Sequence, residues 1–234
     1  MARIAKMAPL LLALLLFAAL PARNQDAPPP SPSLRRVLSN LDRASVRIHS
    51  LSAHAVNTNY VAVVDQTETS TGSLYFRRTR SGPQIKLEFL HPHKILLYRN
   101  GYGYIYQPDI RQVQKYNARK NQSSVQTFLL LGLGASGAQL SGQFKIRLPD
   151  QPQLDDRHTV LLQLFPLDPG ARRSISEIDL WFDPATWVAV RQKYIQPSGD
   201  YRLLTLSHIR VNPHLPSSLF KASFPGAKQV TPKF

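Results

Sequence analysis

The stretch from Gly72 to Pro108 most constrains how this chain folds, because it carries a run of strand patterns around one hairpin signal. Apolar and charged residues alternate through Ile85–Phe89, which is the period of a strand with one buried face. The dipeptide Asn100-Gly101 lies between two apolar and aromatic runs, and both central residues of a type I′ turn need positive φ. The sequence therefore predicts three consecutive antiparallel strands.

The strand after this turn carries three tyrosines in alternation, Tyr102, Tyr104 and Tyr106. Since successive side chains of a strand point to opposite faces, the three rings fall on one side. That side is wide and amphipathic, and we expect it to cover another part of the protein.

Composition excludes several classes of protein. A chain of 234 residues with 43% hydrophobic content can bury a full core in one domain. Because it has no cysteine, disulfides, thiolate zinc sites, thiol nucleophiles and attachment of lipid to an N-terminal cysteine are all excluded. The chain is therefore not itself a lipoprotein.

The first 22 residues have the pattern of an export signal. Arg3 and Lys6 precede an apolar run over residues 8–20, which is too short to span a bilayer comfortably. We expect cleavage after Ala22; an uncleaved anchor is the alternative, because Leu20 fits the cleavage preference poorly. Without these residues the formal net charge is +13. Such a charge suits nucleic acid, anionic lipid headgroups or an acidic partner, and export argues against nucleic acid.

Residues 23–32 are rich in proline and predict an extended tether. Ser33 is a good N-cap, and apolar residues then recur at helical spacing opposite charged ones, so we expect an amphipathic helix over about residues 33–48. Residues 33–234 are expected to form a single domain.

The remainder predicts short strands with one interruption. No strand precedes a crossover helix, so the expected topology is an antiparallel meander, either flanked by helices on one side or curled around an apolar cavity. The interruption, Phe128–Leu133, is predicted to be an apolar helical turn flanked by glycines, which suits a plug or lid. The other predicted strands are Ser52–Thr58, Tyr60–Gln66, Arg111–Tyr116, Gln143–Leu148, Thr159–Phe165, Ser174–Phe182, Trp187–Ile195 and Tyr201–Val211.

The order of these features resembles the periplasmic outer-membrane lipoprotein carrier family, LolA, over about Leu34 to Val230. The resemblance implies a mainly β (α+β) fold, an incompletely closed antiparallel β-barrel. In that fold an N-terminal helix and a short lid helix cover the apolar concave face. The matching features are the export signal, the amphipathic helix, the strand Gly72–Arg78, the strand that closes in Pro92, the Asn100-Gly101 hairpin, the end Tyr106-Gln107-Pro108 and the late segment Leu219–Gly226.

Residue by residue, Arg78 resembles the arginine with which the family ties its lid closed, and Phe128–Leu133 occupies the lid position. Thr79 replaces the proline that the family has after this arginine, which leaves Arg77 and Arg80 as alternatives. The residues expected to bind lipid or to form the gate are Arg78, Tyr75, Ile85, Leu87, Phe89, Tyr102, Tyr104, Phe128, Leu129, Leu130 and Leu133.

The resemblance implies a monomeric periplasmic carrier that moves acylated lipoproteins from the inner to the outer membrane. Its implied partners are an inner-membrane lipoprotein-releasing complex and an outer-membrane acceptor. One alternative is a carrier of another lipid, either a phospholipid or a glycolipid. A second is an envelope-stress sensor, a class that usually has a second C-terminal domain, for which the sequence after Gly226 leaves no room.

Catalysis has no support in the sequence, and we expect neither a cofactor nor a metal. The sequence Gly132–Gly137 matches G-x-G-x-x-G, but no strand clearly precedes it and no long helix follows. His91 and His93 lack a third ligand, and neither G-x-S-x-G nor H-E-x-x-H is present.

Overall fold

A computed structural model describes residues 32–119, 130–149, 153–154 and 157–230. The predicted export signal, nearly all of the predicted tether and the lid residues Phe128 and Leu129 lie outside the described residues. None of the helices in the described ranges is long and apolar enough to cross a membrane.

Helix α1 spans Pro32–Arg47, within one residue of the prediction at each end. Leu34, Val37, Leu41 and Ala44 recur at helical spacing and are buried, because the helix lies with this stripe against the core of the sheet. The other two helices are short: α2 is Gly137–Gln143 and α3 is Pro169–Arg172.

Twelve of the described strands form one sheet in the order β14-β6-β5-β4-β3-β2-β1-β13-β12-β11-β10-β7. Every neighbouring pair is antiparallel except β14 with β6, so the predicted meander is confirmed. Because β14 and β7 stand at opposite ends, the sheet curls without closing. The strands are β1 Ser50–Val61, β2 Gln66–Thr79, β3 Gly82–Leu90, β4 His93–Arg99, β5 Tyr102–Gln107, β6 Gln112–Asn117, β7 Phe144–Arg147, β8 Gln153–Leu154, β9 Arg157–His158, β10 Val160–Pro166, β11 Glu177–Phe182, β12 Ala189–Ile195, β13 Tyr201–Val211 and β14 Lys228–Val230.

The predicted separate strand Tyr60–Gln66 is wrong. Strand β1 continues through Asn59, which is paired with Glu68 on one side and Arg202 on the other. The chain turns instead at residues 62–65, where Asp65 has a φ of 48° and accepts a 2.9 Å hydrogen bond from the Tyr60 hydroxyl. The pairing on both sides overrides the turn preference of asparagine.

The sheet has a concave face that holds the core and a convex face that carries most of its charges. On β2, Leu74 and Phe76 point to the concave face and are almost fully buried, whereas Tyr75 and Arg77 alternate with them on the convex face. The same alternation puts Tyr102, Tyr104 and Tyr106 on the convex face, since Tyr104 pairs with Leu97 and not with an inward residue of β4.

The C-terminal segment, residues 213–227, covers this convex face. Phe220 is fully buried there: Arg99 donates a 2.8 Å hydrogen bond to its carbonyl oxygen, and the Arg77 guanidinium lies 4.7 Å from its ring centroid. The ring of Phe224 lies 5.5 Å from Tyr104 and 5.0 Å from Tyr106. The prediction that the tyrosine side of β5 packs against another part of the protein is therefore confirmed, and that part is the C-terminal segment.

Candidate functional site

A cavity of about 1230 Å³ lies within the curl of the sheet. This volume is above the range of about 300–1,000 Å³ that is usual for small-molecule sites. Strands β2 to β5 supply an apolar wall, in which each side chain alternates with one that faces outward. The residues of this wall are Leu74, Ile85, Leu87, Phe89, Leu96 and Ile105.

Strands β1, β12 and β13 supply a second wall, which is polar. The strand register places Asn59 beside Arg202 and Arg202 beside Tyr194, while Gln192 pairs with Leu204. These polar residues share the inward face of the sheet, so the cavity has two chemically different sides. A cavity that held only hydrocarbon would have no use for the polar side.

Two of the inward polar groups are sealed inside the protein. Gln192 is 3% exposed; its Oε1 accepts a 3.2 Å hydrogen bond from the Tyr194 hydroxyl, while its Nε2 is buried without a partner in the described chain. The Tyr98 hydroxyl is likewise buried without one. Burial raises the pKa of Tyr194 to about 12, and the charge of nearby Arg202 acts in the opposite direction. Tyr194 is therefore a neutral hydroxyl at physiological pH.

A smaller polar annex of about 220 Å³ adjoins the main cavity and shares Asn57, Asn59 and Arg202 with it. The remaining polar side chains of the annex are Glu68, Ser70 and Lys94. Asn57 and Ser70 are 8% exposed, so the floor of the annex is well buried.

Residues 130–135, here called the lid segment, fill the end of the cavity that lies away from the annex. Leu130, Leu131 and Leu133 are each at most 3% exposed, and Leu133 lines the cavity. The amide of Leu133 donates a 2.9 Å bond to the Leu130 carbonyl, which is the one-turn geometry expected of a helical turn. The amide of Ala189 on β12 donates a 2.8 Å bond to Gly132, which holds the segment against the sheet.

Arg78 ties the lid segment to helix α1 and to the sheet. Its Nε donates a 3.1 Å hydrogen bond to the carbonyl of Ile48, just after α1, and its Nη2 donates to the carbonyl of Gly134. Its backbone amide donates a 2.8 Å bond to His49. Burial lowers the pKa of the Arg78 guanidinium, which nevertheless stays a cation at neutral pH. One residue thus joins helix α1, strand β2 and the lid segment.

A family model described as outer membrane lipoprotein carrier protein LolA matches residues 50–223. The chain belongs to this family. The match covers every described strand except β14, including both walls of the cavity and Arg78.

Two solved structures have a fold similar to that of this chain. An uncharacterized conserved protein from Thermus thermophilus is 12% identical, with a TM-score of 0.55 over 86% of this chain and 99% of the other. MucB is 16% identical, with a TM-score of 0.52 over 83% of this chain. The match spans 64% of the length of MucB. None of the curated proteins has a sequence that matches this chain.

Local packing also explains the glycines of the G-x-G-x-x-G match. Gly132 and Gly134 have φ of 74° and 116°, which disfavour any side chain. A Cβ on Gly132 would lie 2.5 Å from that of Ala189, and one on Gly137 would lie 2.5 Å from the carbonyl oxygen of Leu38 on α1. Positive φ together with close side chains accounts for Gly132 and Gly134, and close approach of the α1 backbone accounts for Gly137, so none of the three positions calls for a bound phosphate.

Several of the predicted site residues lie at the cavity or in the lid segment. Ile85, Leu87, Phe89 and Leu133 line the cavity, and Leu130 is buried in the core that the lid segment joins.

Three tyrosines are placed differently from the prediction. The side chains of Tyr75 and Tyr102 lie on the convex face, and Lys115 Nζ is 4.4 Å from the Tyr102 ring centroid. Tyr104 borders the cavity, but its ring packs on Phe224 outside it. Strand alternation groups such residues correctly yet does not tell which face is concave.

The predicted site residues did not include the polar wall. Gln192 and Tyr194 sit in a strand whose apolar residues attract attention first, and Arg202 looks like an ordinary surface charge. Their spacing could have revealed that they point inward, because each lies two residues from an inward residue of the same strand, as Arg202 does from Leu204.

Proposed function

We propose that this protein is a periplasmic carrier, rather than an enzyme, that holds the acyl chains of lipoproteins in the concave cavity and moves them from the inner to the outer membrane. The observation that supports this proposal is the cavity of about 1230 Å³, with an apolar wall on β2 to β5 and a lid segment at one end. Membership of the LolA family supports the same class of cargo.

The apolar wall supplies the affinity that such a cargo needs. Each methylene taken out of water contributes about 0.8 kcal/mol, so an acyl chain of about sixteen carbons gains on the order of 12 kcal/mol before association costs. Burial on this scale would hold the cargo too tightly for transfer to the next protein unless binding also had to disrupt favourable interactions in the empty protein.

The lid segment provides such interactions, which oppose cargo binding. In the closed arrangement the segment gains its buried leucines and the hydrogen bonds from Arg78 and Ala189. Cargo that displaces the segment must break these bonds, so the closed state competes with loading and favours release. Arginine suits this role because its fixed fork bonds two carbonyls and can lose both in one motion.

A release assay tests the proposal. The mature chain would be incubated with inner-membrane vesicles that contain a triacylated lipoprotein and the lipoprotein-releasing complex, and the soluble fraction would then be examined for a one-to-one complex. We expect the complex to form with the acylated lipoprotein and not with the same polypeptide lacking its acyl groups. If no soluble complex forms with either, the lipoprotein-carrier proposal is wrong.

A carrier of a phospholipid or glycolipid is the second candidate function. The observation that favours it is the polar annex, because the three acyl chains of a lipoprotein carry no group that needs two cations. The same assay with lipid vesicles in place of the lipoprotein separates the two: uptake of free lipid without uptake of the lipoprotein would favour the second candidate.

A further inference from the structure

The polar annex lies where three strands bring inward polar residues side by side. Across β2, β1 and β13 the register aligns Glu68, Asn59 and Arg202, and further along the same strands it aligns Ser70 with Asn57. Lys94 enters from β4, opposite the buried Phe89 of β3. Elements far apart in sequence thus converge on one small space.

The annex carries an excess of positive charge. It contains two cations, Arg202 and Lys94, and one carboxylate, Glu68. No ion pair closer than 4.0 Å among the described residues involves any of these three, since the pairs that are present join Glu88 to Lys86 and His93. Both cations are therefore available to a ligand.

The surrounding groups match the needs of a phosphate. Arginine presents a planar fork of donors that suits phosphate oxygens, and lysine adds a compact point charge. The amides of Asn57 and Asn59 and the hydroxyl of Ser70 can donate to further oxygens. The single carboxylate leaves the site with a net attraction for an anion.

The annex is also continuous with the apolar cavity. Phe89, Leu96 and Ile105 line both spaces, so a molecule can occupy the two at once with hydrocarbon on one side and a polar group on the other.

We propose that the annex binds the phosphate-bearing headgroup of a lipid whose acyl chains occupy the main cavity. Arg202 and Lys94 contact the phosphate, and Asn57, Asn59 and Ser70 complete its hydrogen bonds. The ligand class is an anionic glycerophospholipid. This inference rests on the proposed acyl-chain cavity and adds headgroup selection to it.

A competition experiment tests the inference. The full chain would be incubated with vesicles of equimolar dioleoyl-phosphatidylglycerol and dioleoyl-phosphatidylcholine, and native mass spectrometry would give the ratio of the two lipids bound. Because both lipids share one vesicle and the same chains, the ratio reports headgroup choice alone. We expect the wild type to favour phosphatidylglycerol about fivefold or more, which corresponds to about 1 kcal/mol.

The variants Arg202→Gln and Lys94→Gln should each bring this ratio towards one while lipid is still bound. Arg210→Gln is the matched control, because Arg210 lies on the same strand, is exposed and lines neither space, and its replacement changes the net charge equally. The control should keep the wild-type ratio.

The outcomes distinguish the two proposals. Lipid bound with no headgroup preference, or a preference that Arg202→Gln leaves unchanged, overturns the headgroup site but not the carrier. A wild type that binds neither lipid contradicts the acyl-chain cavity for phospholipids. Inorganic phosphate that binds by calorimetry without lipid, and is lost in Arg202→Gln, would overturn the lipid assignment in favour of a free-anion site.

Discussion

The Arg78 guanidinium donates a hydrogen bond to the carbonyl oxygen of Gly134, a residue whose φ of 116° is open only to glycine. A Cβ at position 134 would lie 3.0 Å from Arg78 Nη2. The same guanidinium donates a hydrogen bond to the carbonyl of Ile48, so the position of the lid segment depends on one side chain and one backbone conformation together.

Replacing Arg78 should loosen the lid. Arg78→Leu removes two charge-assisted hydrogen bonds, each worth about 1.5–3 kcal/mol, so we expect faster uptake of a fluorescent fatty-acid analogue and a lower free energy of unfolding. Stopped-flow fluorescence and chemical denaturation measure the two effects. Arg80→Leu is the control, since Arg80 is exposed at the adjacent turn. Unchanged uptake and release in Arg78→Leu would rule out a gating role.

Gly132 should tolerate no side chain. Gly132→Ala puts a Cβ 2.5 Å from that of Ala189 at a φ of 74°, so we expect it to lower the free energy of unfolding by about 1–3 kcal/mol. Gly142→Ala is the matched comparison: no atom lies within 4 Å of its Cβ position, in helix α2. That variant should gain up to about 1 kcal/mol. Equal effects of the two in urea denaturation would contradict the packing described for the lid segment.

Phe220 should be essential to stability but not to the cavity. Phe220→Ala removes a fully buried ring from the convex face, which typically costs about 3–5 kcal/mol. Because the ring lies on the other side of the sheet from the cavity, the folded variant should bind an acyl probe as the wild type does at low temperature. Thermal unfolding and a probe titration check the two parts. A probe affinity that falls as steeply as the stability would show that the two faces are coupled.

Asp179 should make stability depend on pH. Burial, with the nearby charge of Glu177, raises the pKa of its carboxyl from 3.8 to about 6, although Lys193 acts in the opposite direction. Since the folded state holds this proton more tightly than the unfolded state, the contribution to stability is present below pH 3.8 and is lost as pH rises through about 6. Asp179→Asn should lack this loss, so its stability relative to the wild type should rise over that range. Parallel denaturation curves at several pH values test this, and a constant difference would contradict it.

The sequence allowed the strand pattern and the order of elements to be predicted, because both follow from local periodicity. Strand β13 occupies Tyr201–Val211 as expected, and α1 differs by one residue at each end. The continuation of β1 through Asn59 was not predictable, because it depends on partners in β2 and β13 that are distant in the chain.

The cavity was predictable only in part, for a similar reason. Alternation separated Leu74 from Tyr75 but could not say which faces inward, because Phe220 and Phe224, far along the chain, decide what covers the convex side. The annex could not be predicted from the sequence, because Lys94 and Arg202 come to line the same space only when the sheet curls. The sequence around each residue gives no sign that the two are close in space.

Occupancy of the concave cavity by acyl chains is tested most directly by native mass spectrometry of the protein purified from cells that produce it naturally, followed by identification of whatever is bound. We predict a stoichiometric acylated molecule, either a lipoprotein or a free lipid, that is absent from Leu87→Asp, which places a charge in the apolar wall. A wild-type protein that shows only the mass of the bare polypeptide, and that acquires no acylated molecule from membranes, would contradict the proposed carrier function.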